Sequence, residues 1–511
     1  MELAWAPLLV ALLLVLLAFL FANNGGLTRR LPPGPAAVPV VGNIDLWFRH
    51  QGLDVMRAIR RLHARYGPLL ALRMGSRLHV TVSDRRLAHA ALFERGAAMA
   101  DRPEYASRDL LGLDAGAIST SNYGPLWRLF RRNFVAEVAH PARLRLFAPA
   151  RAAVLAELTA KLRLEGGSAI VETFQYAMFR LLVSMCFGER AVRDIAAGQR
   201  DALLYSNKLG VFAFLPAVTT RLFRGRLQAM VAMRQCLKDM YMPLIQARRE
   251  RKKIGALIRA QEGTMTTTTL PHSYVDTLLD IRLNDDGGRA LTDDEIIALC
   301  SEFLNAGTDT TSTALQWIMA EIVKNPAIQD KLHDEINATM ASTGSDHISE
   351  EDVHKMPYLK AVVLEGLRRH PPGHLVLPHA PAEDMELGGY TIPKGTTVNF
   401  MVADMAMDEQ TWHRPAEFVP ERFLPGGDGE GTGITGTREI RMMPFGAGRR
   451  ICPGLNVATL HLEYFVANLV REFEWLEQDG EEVDVDGEKA EFTVVMANPL
   501  RARLMPRGII V

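Results

Sequence analysis

One segment near the C-terminal end limits the architecture more than any other: Pro444-Phe445-Gly446-Ala447-Gly448-Arg449-Arg450-Ile451-Cys452-Pro453-Gly454. Glycines at 446, 448 and 454 permit a tight turn whose backbone amides can close on the cysteine sulfur. A strongly helical pattern follows Gly454, so the positive end of a helix dipole lies beside Cys452. Such dipoles favour the thiolate, the form of cysteine that ligates metal. The bland alternative is a buried cysteine in a glycine turn. Cys186, Cys236 and Cys300 have no short spacing to one another or to Cys452. That excludes a zinc knuckle or a CxxC pair and does not resemble a disulfide framework. These three read as buried thiols acting as small hydrophobes.

The rest of the chain supplies the setting. A formal net charge of -1 over 511 residues gives no general attraction to nucleic acid or an anionic surface. From Leu3 to Ala22 no residue is charged, and about 20 apolar residues span a bilayer as a helix. Only Glu2 precedes that run while Arg29 and Arg30 follow it, so it reads as an uncleaved signal anchor with the bulk of the chain in the cytosol. Leu31-Pro32-Pro33-Gly34-Pro35, with Pro39 and Gly42, reads as a semi-rigid spacer. Leu78 to Ser83 alternates like a strand, and Asp84 to about Arg259 is mainly helical. Thr264 to Thr269 and Asn284 to Gly288 read as exposed loop. Thr292 followed by Glu295 predicts a capped start for a long helix ending near Lys324, before Asn325-Pro326. A further helix is expected from about Tyr358 to Arg369, then short strands around Gly388 to Gly395, then the helix after Gly454.

Three more segments carry polar residues that local propensity does not explain. Ala306-Gly307-Thr308-Asp309-Thr310-Thr311 places poor helix formers inside the long helix. Glu365 and Arg368 are three apart on one helix face and can pair, and Arg422 stands in Pro420-Glu421-Arg422-Phe423. Trp127-Arg128-Leu129-Phe130-Arg131 and His379 complete the set. Alone, each reads as something ordinary: a threonine-rich turn, a surface ion pair, a core aromatic, a loop histidine.

Together, in this order, they resemble the cytochrome P-450 superfamily. The cysteine loop matches FxxGxRxCxG at every fixed position, a coincidence expected in about one window per million or fewer. The resemblance covers essentially the whole chain. Its details, the proline hinge, AGTDTT, PERF and FGAGRRICPG, look like plant microsomal A-type members. The nearest-looking plant clade includes enzymes proposed to oxidise linear tetrapyrroles from chlorophyll breakdown. A departure is Asp404-Met405-Ala406-Met407-Asp408, where many members carry an Arg-Asp pair.

The resemblance implies a mainly α fold with small β-sheets (α+β). Residues 1-22 would be the membrane anchor helix, 23-43 the hinge and 44-511 one large haem domain. The cofactor would be haem b, iron protoporphyrin IX, with Cys452 as thiolate ligand. A haem thiolate pushes electron density onto iron and favours O–O cleavage. Phe445, Gly446 and Gly454 would shield and shape the thiolate loop. Trp127, Arg131, His379 and Arg450 would reach the haem propionates. Gly307 would give room where the helix opens over the haem, and Asp309 with Thr310 would relay protons to dioxygen. Glu365, Arg368 and Arg422 would form a buried structural network. The implied reaction is monooxygenation of a small apolar or amphipathic molecule with O2. Electrons would come from NADPH through a separate reductase at the endoplasmic reticulum membrane, since no GxGxxG opens a helix after a strand. Arg128, Arg132, Arg438, Arg441 and Arg449 would form a basic docking face. Substrate contacts are expected from Tyr105 to Tyr123, Gly210 to Phe214, Glu302 to Ala306, His374 to Leu377 and Val494 to Met496, with little fixed charge. A peroxide-isomerising or dehydrating relative and a silent haem-binding membrane protein are the competing readings; Thr310 argues against the first and the intact relay against the second.

Overall fold

The computed structural model describes residues 30–508 apart from 39–40, 51, 76, 105–115, 189–192, 214–215, 263–271 and 284–286. The expected anchor, the threonine-rich loop, Asn284 to Asp286, part of the hinge, Tyr105 to Ala115 and Phe214 therefore lie outside the described residues.

Ten helices among the described residues reach ten residues or more: α1 (Leu53–Tyr66), α2 (Pro125–Phe134), α3 (Ala148–Glu165), α4 (Ile170–Phe187), α5 (Arg193–Ser206), α6 (Arg224–Glu262), α7 (Asp293–Lys324), α8 (Pro326–Thr343), α9 (Pro357–Arg369) and α10 (Leu455–Glu472). The strands are short: β1 (Leu69–Met74), β2 (Arg77–Val82), β3 (Met385–Leu387), β4 (Tyr390–Ile392), β5 (Thr397–Phe400), β6 (Glu488–Ala490) and β7 (Val494–Met496), besides two minor pairs. β1 pairs antiparallel with β2, and β2 runs parallel to β5 with Val82 opposite Phe400. β3–β4 and β6–β7 are separate antiparallel hairpins. The fold is mostly helical with small sheets, as its sequence pattern predicts.

α7 organises the molecule. Thr292 caps it in a reciprocal box, its side chain accepting from the Glu295 amide while the Glu295 carboxylate takes the Thr292 amide. Every residue from Thr311 to Val323 is buried, which marks a core helix. Its polar side chains there are matched. Thr313 meets the Thr493 hydroxyl at 2.8 Å, Trp317 Nε1 donates to the Val494 carbonyl at 3.0 Å, and Glu321 accepts from Arg369 at 2.5 Å. These bonds seat the β6–β7 hairpin and α9 against α7. α4 lies along α7 in the same core and, by length and hydropathy, is the one described helix that could cross a membrane. Its burial makes it a core helix.

The expected opening of α7 at its threonines is not found. The helix is unbroken from Asp293 to Lys324, because its hydroxyls bond back along the turn: Thr310 Oγ1 donates to the Ala306 carbonyl at 2.5 Å, and Ser312 Oγ to Thr308 at 2.8 Å. Gly307 has a packing role that its sequence context does not announce. A Cβ there would stand 2.7 Å from Leu182 Cδ1 on α4, so its missing side chain lets the two core helices close.

Candidate active site

The cysteine loop is tied to itself. The Cys452 amide donates to the Phe445 carbonyl at 2.8 Å, the Gly446 amide to Met443 at 2.9 Å and the Ile451 amide to Gly448 at 3.2 Å. Gly446 and Gly448 adopt φ of 69° and 68°, left-handed values that side-chain-bearing residues rarely hold. At Gly448 a Cβ would also fall 2.2 Å from the Leu92 carbonyl oxygen, so the turn is both strained for other residues and closed against its neighbour. Gly454 caps α10, so the cysteine sits just ahead of that helix's positive end.

Cys452 opens into a cavity of about 410 Å³. α7 contributes Ala306, Gly307 and Thr310 to its lining, and the cysteine loop with α10 contributes Phe445, Gly446, Pro453, Gly454, Val457 and Ala458. The other cysteines are elsewhere: Cys186 and Cys300 are buried in the core and Cys236 is exposed. Burial pushes the Cys452 thiol up, while the Gly454 amide and the Arg131 guanidinium pull it down. The balance stays upward, so a thiolate here calls for a cation at the sulfur.

The donor set is selective. Among the described residues no three His, Cys, Asp or Glu side chains converge as metal ligands. A single sulfur suits a metal that brings its remaining ligands in a macrocycle. Arg102, Arg131 and Arg450 also line the cavity. Burial first, and then the charge of Arg102, push Arg450 down to about 9; Asp101 offsets them only in part. Such a rim calls for anionic groups. Haem, an iron macrocycle with two carboxylates, fits both demands: Cys452 would ligate the iron, and Arg102, Arg131 and Arg450 would hold the carboxylates.

The remaining expected residues divide. Arg131 Nη2 donates to the Ile451 carbonyl at 2.6 Å and lines the cavity. Arg450 is buried and donates to the carbonyls of Ala100 (2.6 Å), Ile118 (3.2 Å) and Ser121 (2.6 Å). Trp127 does not line the cavity; its Nε1 donates to the Ile118 carbonyl at 3.0 Å. His379 lines the cavity but turns Nδ1 to the Met99 carbonyl at 2.9 Å. Burial holds it neutral, with a pKa of about 3. The carbonyl requires the proton on Nδ1, which leaves Nε2 an acceptor rather than the expected donor.

The acid–alcohol pair is split. Thr310 lines the cavity, whereas Asp309 points to α5, where Arg200 Nη1 lies 3.3 Å from Oδ1. Consecutive helix positions do not share a face, which accounts for the separation. Burial pushes the Asp309 carboxyl up, Arg200 pulls it down, and Glu491 adds to the rise. Arg200 also reaches Glu491 at 3.4 Å beside the β6–β7 hairpin.

Glu365, Arg368 and Arg422 are buried together. Arg368 grips both Glu365 oxygens at 2.7 and 2.9 Å, and Arg422 Nε adds a bond at 3.1 Å. Asp404 pairs with Arg60 on α1 at 2.7 Å, so the departure noted at this position joins α1 to the segment after β5.

Of the expected substrate contacts, Ile118, Ser119, Glu302, Phe303, Ala306 and Leu375 to Leu377 line the cavity. Gly210 to Phe212 and Val494 to Met496 do not; Phe492 and Thr493 stand in place of the latter. His374 is turned to Glu488 at 3.2 Å. The wall is also more charged than expected, since Arg102 and Glu302 belong to it. Sequence reasoning missed the roles of Arg102 and Arg200, and it named Glu302 only as a substrate contact, not as a partner of residues 118–119. Only Glu302 left a usable signal, because 302, 306 and 310 share a helix face.

The comparisons with known proteins agree with this geometry. Residues 32–504 match the family model described as Cytochrome P450. The chain is 41% identical over 505 residues to "Cytochrome P450 89A9" of Arabidopsis thaliana, covering 94% of each chain. It is 30% identical over 486 residues to the "Flavonoid 3'-monooxygenase" of Arabidopsis thaliana, covering 92% of this chain and 90% of that one. A zebra fish cytochrome P450 structure with progesterone superposes with a TM-score of 0.72 at 23% identity, over 88% of this chain and 99% of that one. With its thiolate loop, its arginine rim and that match along nearly its whole length, the chain belongs to the cytochrome P450 family of haem-thiolate monooxygenases.

Proposed function

We propose that this chain inserts one atom of O2 into a small apolar or amphipathic substrate held beside α7, with Cys452 as the iron's thiolate ligand. The observation that carries the reading is that this cavity is lined by Cys452, alone of the four cysteines, and by Thr310. Haem, when bound, supplies the one-electron and oxygen chemistry. The protein's part is binding, orientation and proton handling. Arg102, Arg131 and Arg450 would hold the propionates, exchanging bonds to backbone carbonyls for bonds to carboxylates. Phe445 and Val457 keep water from the sulfur.

Thr310 Oγ1 is the hydroxyl placed to hold a proton at the cavity, since its own proton rests on the Ala306 carbonyl and its lone pairs remain to accept. Asp309 is the neighbouring acid, reached through a side-chain turn or a water. Its raised pKa keeps more of it protonated than an exposed aspartate would be. The substrate would meet Phe303, Val376, Leu377 and Phe492.

Electrons would come from NADPH through a separate reductase. Residues 1-22 would anchor the chain in the endoplasmic reticulum membrane, and 44-511 would form the cytosolic haem domain. The similar plant proteins, which include a flavonoid monooxygenase and an "Ent-cassadiene C11-alpha-hydroxylase 1" of rice, support a role in plant secondary metabolism. Arg128, Arg132, Arg438 and Arg449 are exposed and suit docking of an acidic reductase domain. Arg441 leaves that group, being bonded to Thr411 and Thr432 and stacked 4.8 Å from Trp412.

The test is reconstitution with NADPH and a plant reductase, after spectral screening of fatty acids, phenolics, terpenoids and tetrapyrroles for a ligand. Reversing Arg128 and Arg449 to glutamate should slow the first electron transfer about tenfold at low salt and flatten its salt dependence. Unchanged rates at every salt concentration would discard this docking face.

A further inference from the structure

Ile118 stands at a junction. Its carbonyl accepts from Trp127 Nε1 at 3.0 Å and from Arg450 Nη1 at 3.2 Å. Its amide donates to Glu302 Oε2 at 2.8 Å, and the next amide, of Ser119, donates to Glu302 Oε1 at 2.6 Å. The Ser119 side chain also favours the charged form of that carboxylate. Ile118, Ser119 and Glu302 all line the cavity. One peptide thus meets the arginine rim through its carbonyl and α7 through its amide.

A carboxylate in such a place is costly unless its oxygens are satisfied. Burial pushes the Glu302 carboxyl up, and the Ser119 and Ile118 donors, with Arg102, oppose that rise. Both amide bonds come from one short stretch of wall. Amide-to-carboxylate bonds are short and strong, so they fix backbone position as well as contributing stability. Glu302 also precedes Ala306 by four residues and Thr310 by eight, which puts the clamp on the cavity face of α7.

We infer that Glu302 is a positioning residue for substrate: its carboxylate holds residues 118–119 as a fixed wall and so decides which molecules fit beside the haem. The inference rests on the cavity being the substrate site. A preformed wall raises affinity for ligands that touch it and leaves alone those that reach only the iron.

Glu302→Gln keeps the shape, but its amide nitrogen faces one of the two N–H donors as a second donor. Wild type and variant, loaded with haem, are titrated with imidazole and with clotrimazole, following the low-spin spectral shift. The imidazole Kd should stay within about twofold while clotrimazole weakens about tenfold, because only the larger azole loses a preorganised surface. Should the glutamine variant not retain haem, Glu302→Asp keeps the charge but shortens its reach to the two amides and should weaken clotrimazole selectively by about threefold. Equal changes for both azoles, no change, or tighter clotrimazole binding would overturn the inference. Failure of wild type to bind either azole would instead count against the haem reading itself.

Discussion

Arg368→Leu should leave little folded haem protein. Arg368 is fully buried and places its donors on Glu365, on the Ala406 carbonyl (2.8 Å) and on the Pro415 carbonyl (2.8 Å), with its guanidinium 5.3 Å from the Trp412 ring centre. Leucine removes the charge that faces Glu365 and strips the buried Ala406 carbonyl and the half-buried Pro415 carbonyl of their Arg368 donors. Arg422 then remains the only described cation on Glu365, through one bond of 3.1 Å. Breaking a buried ion pair on one side costs about 3–5 kcal/mol, a large share of the roughly 5–15 kcal/mol by which proteins are stable. The measurement is the urea midpoint of the haem-loaded protein, or the soluble yield where no midpoint can be reached. A loss below about 1 kcal/mol would place the pair among surface bridges that hold nothing in particular.

Thr310→Ala should separate oxygen consumption from product. The variant removes one hydroxyl from the cavity and a back-bond to Ala306 that the helix does not need, so stability should hardly change. With no residue to pass a proton at that point, NADPH and O2 should still be consumed while product per NADPH falls about tenfold or more, the remainder appearing as peroxide or extra water. Thr310→Ser, which restores the hydroxyl, should recover most of the coupling. Unaltered coupling in the alanine variant would favour a peroxide-handling relative that needs no threonine.

Much of this was legible in the sequence because its chemistry depends on local spacing. The cysteine loop needs glycines within a few residues of the sulfur, and Glu365 with Arg368 needs one helical turn. Both arrangements survive translation from string to structure. What was not legible depends on which way a helix faces. Asp309 and Thr310 are adjacent in sequence and read as a pair, yet α7 turns one to Arg200 and the other to the cavity. Gly307 reads as space at the cavity, which it does line, but its missing side chain also admits Leu182, 125 positions earlier. Trp127 and His379 read as donors to a ligand, and their N–H groups are spent on the carbonyls of Ile118 and Met99. Backbone acceptors carry no sequence signal at all. Arg102 was invisible for the same reason: its guanidinium bonds main-chain groups of Ser119, Leu377 and Pro378.

The claim on which the rest stands is a single sulfur–iron bond from Cys452. Purified protein, reduced and exposed to carbon monoxide, should show the red-shifted band peculiar to haem with a thiolate ligand, and Cys452→Ser should abolish it. Folded wild-type protein that bound no haem, or gave only the band of an imidazole-ligated haem, would contradict the account.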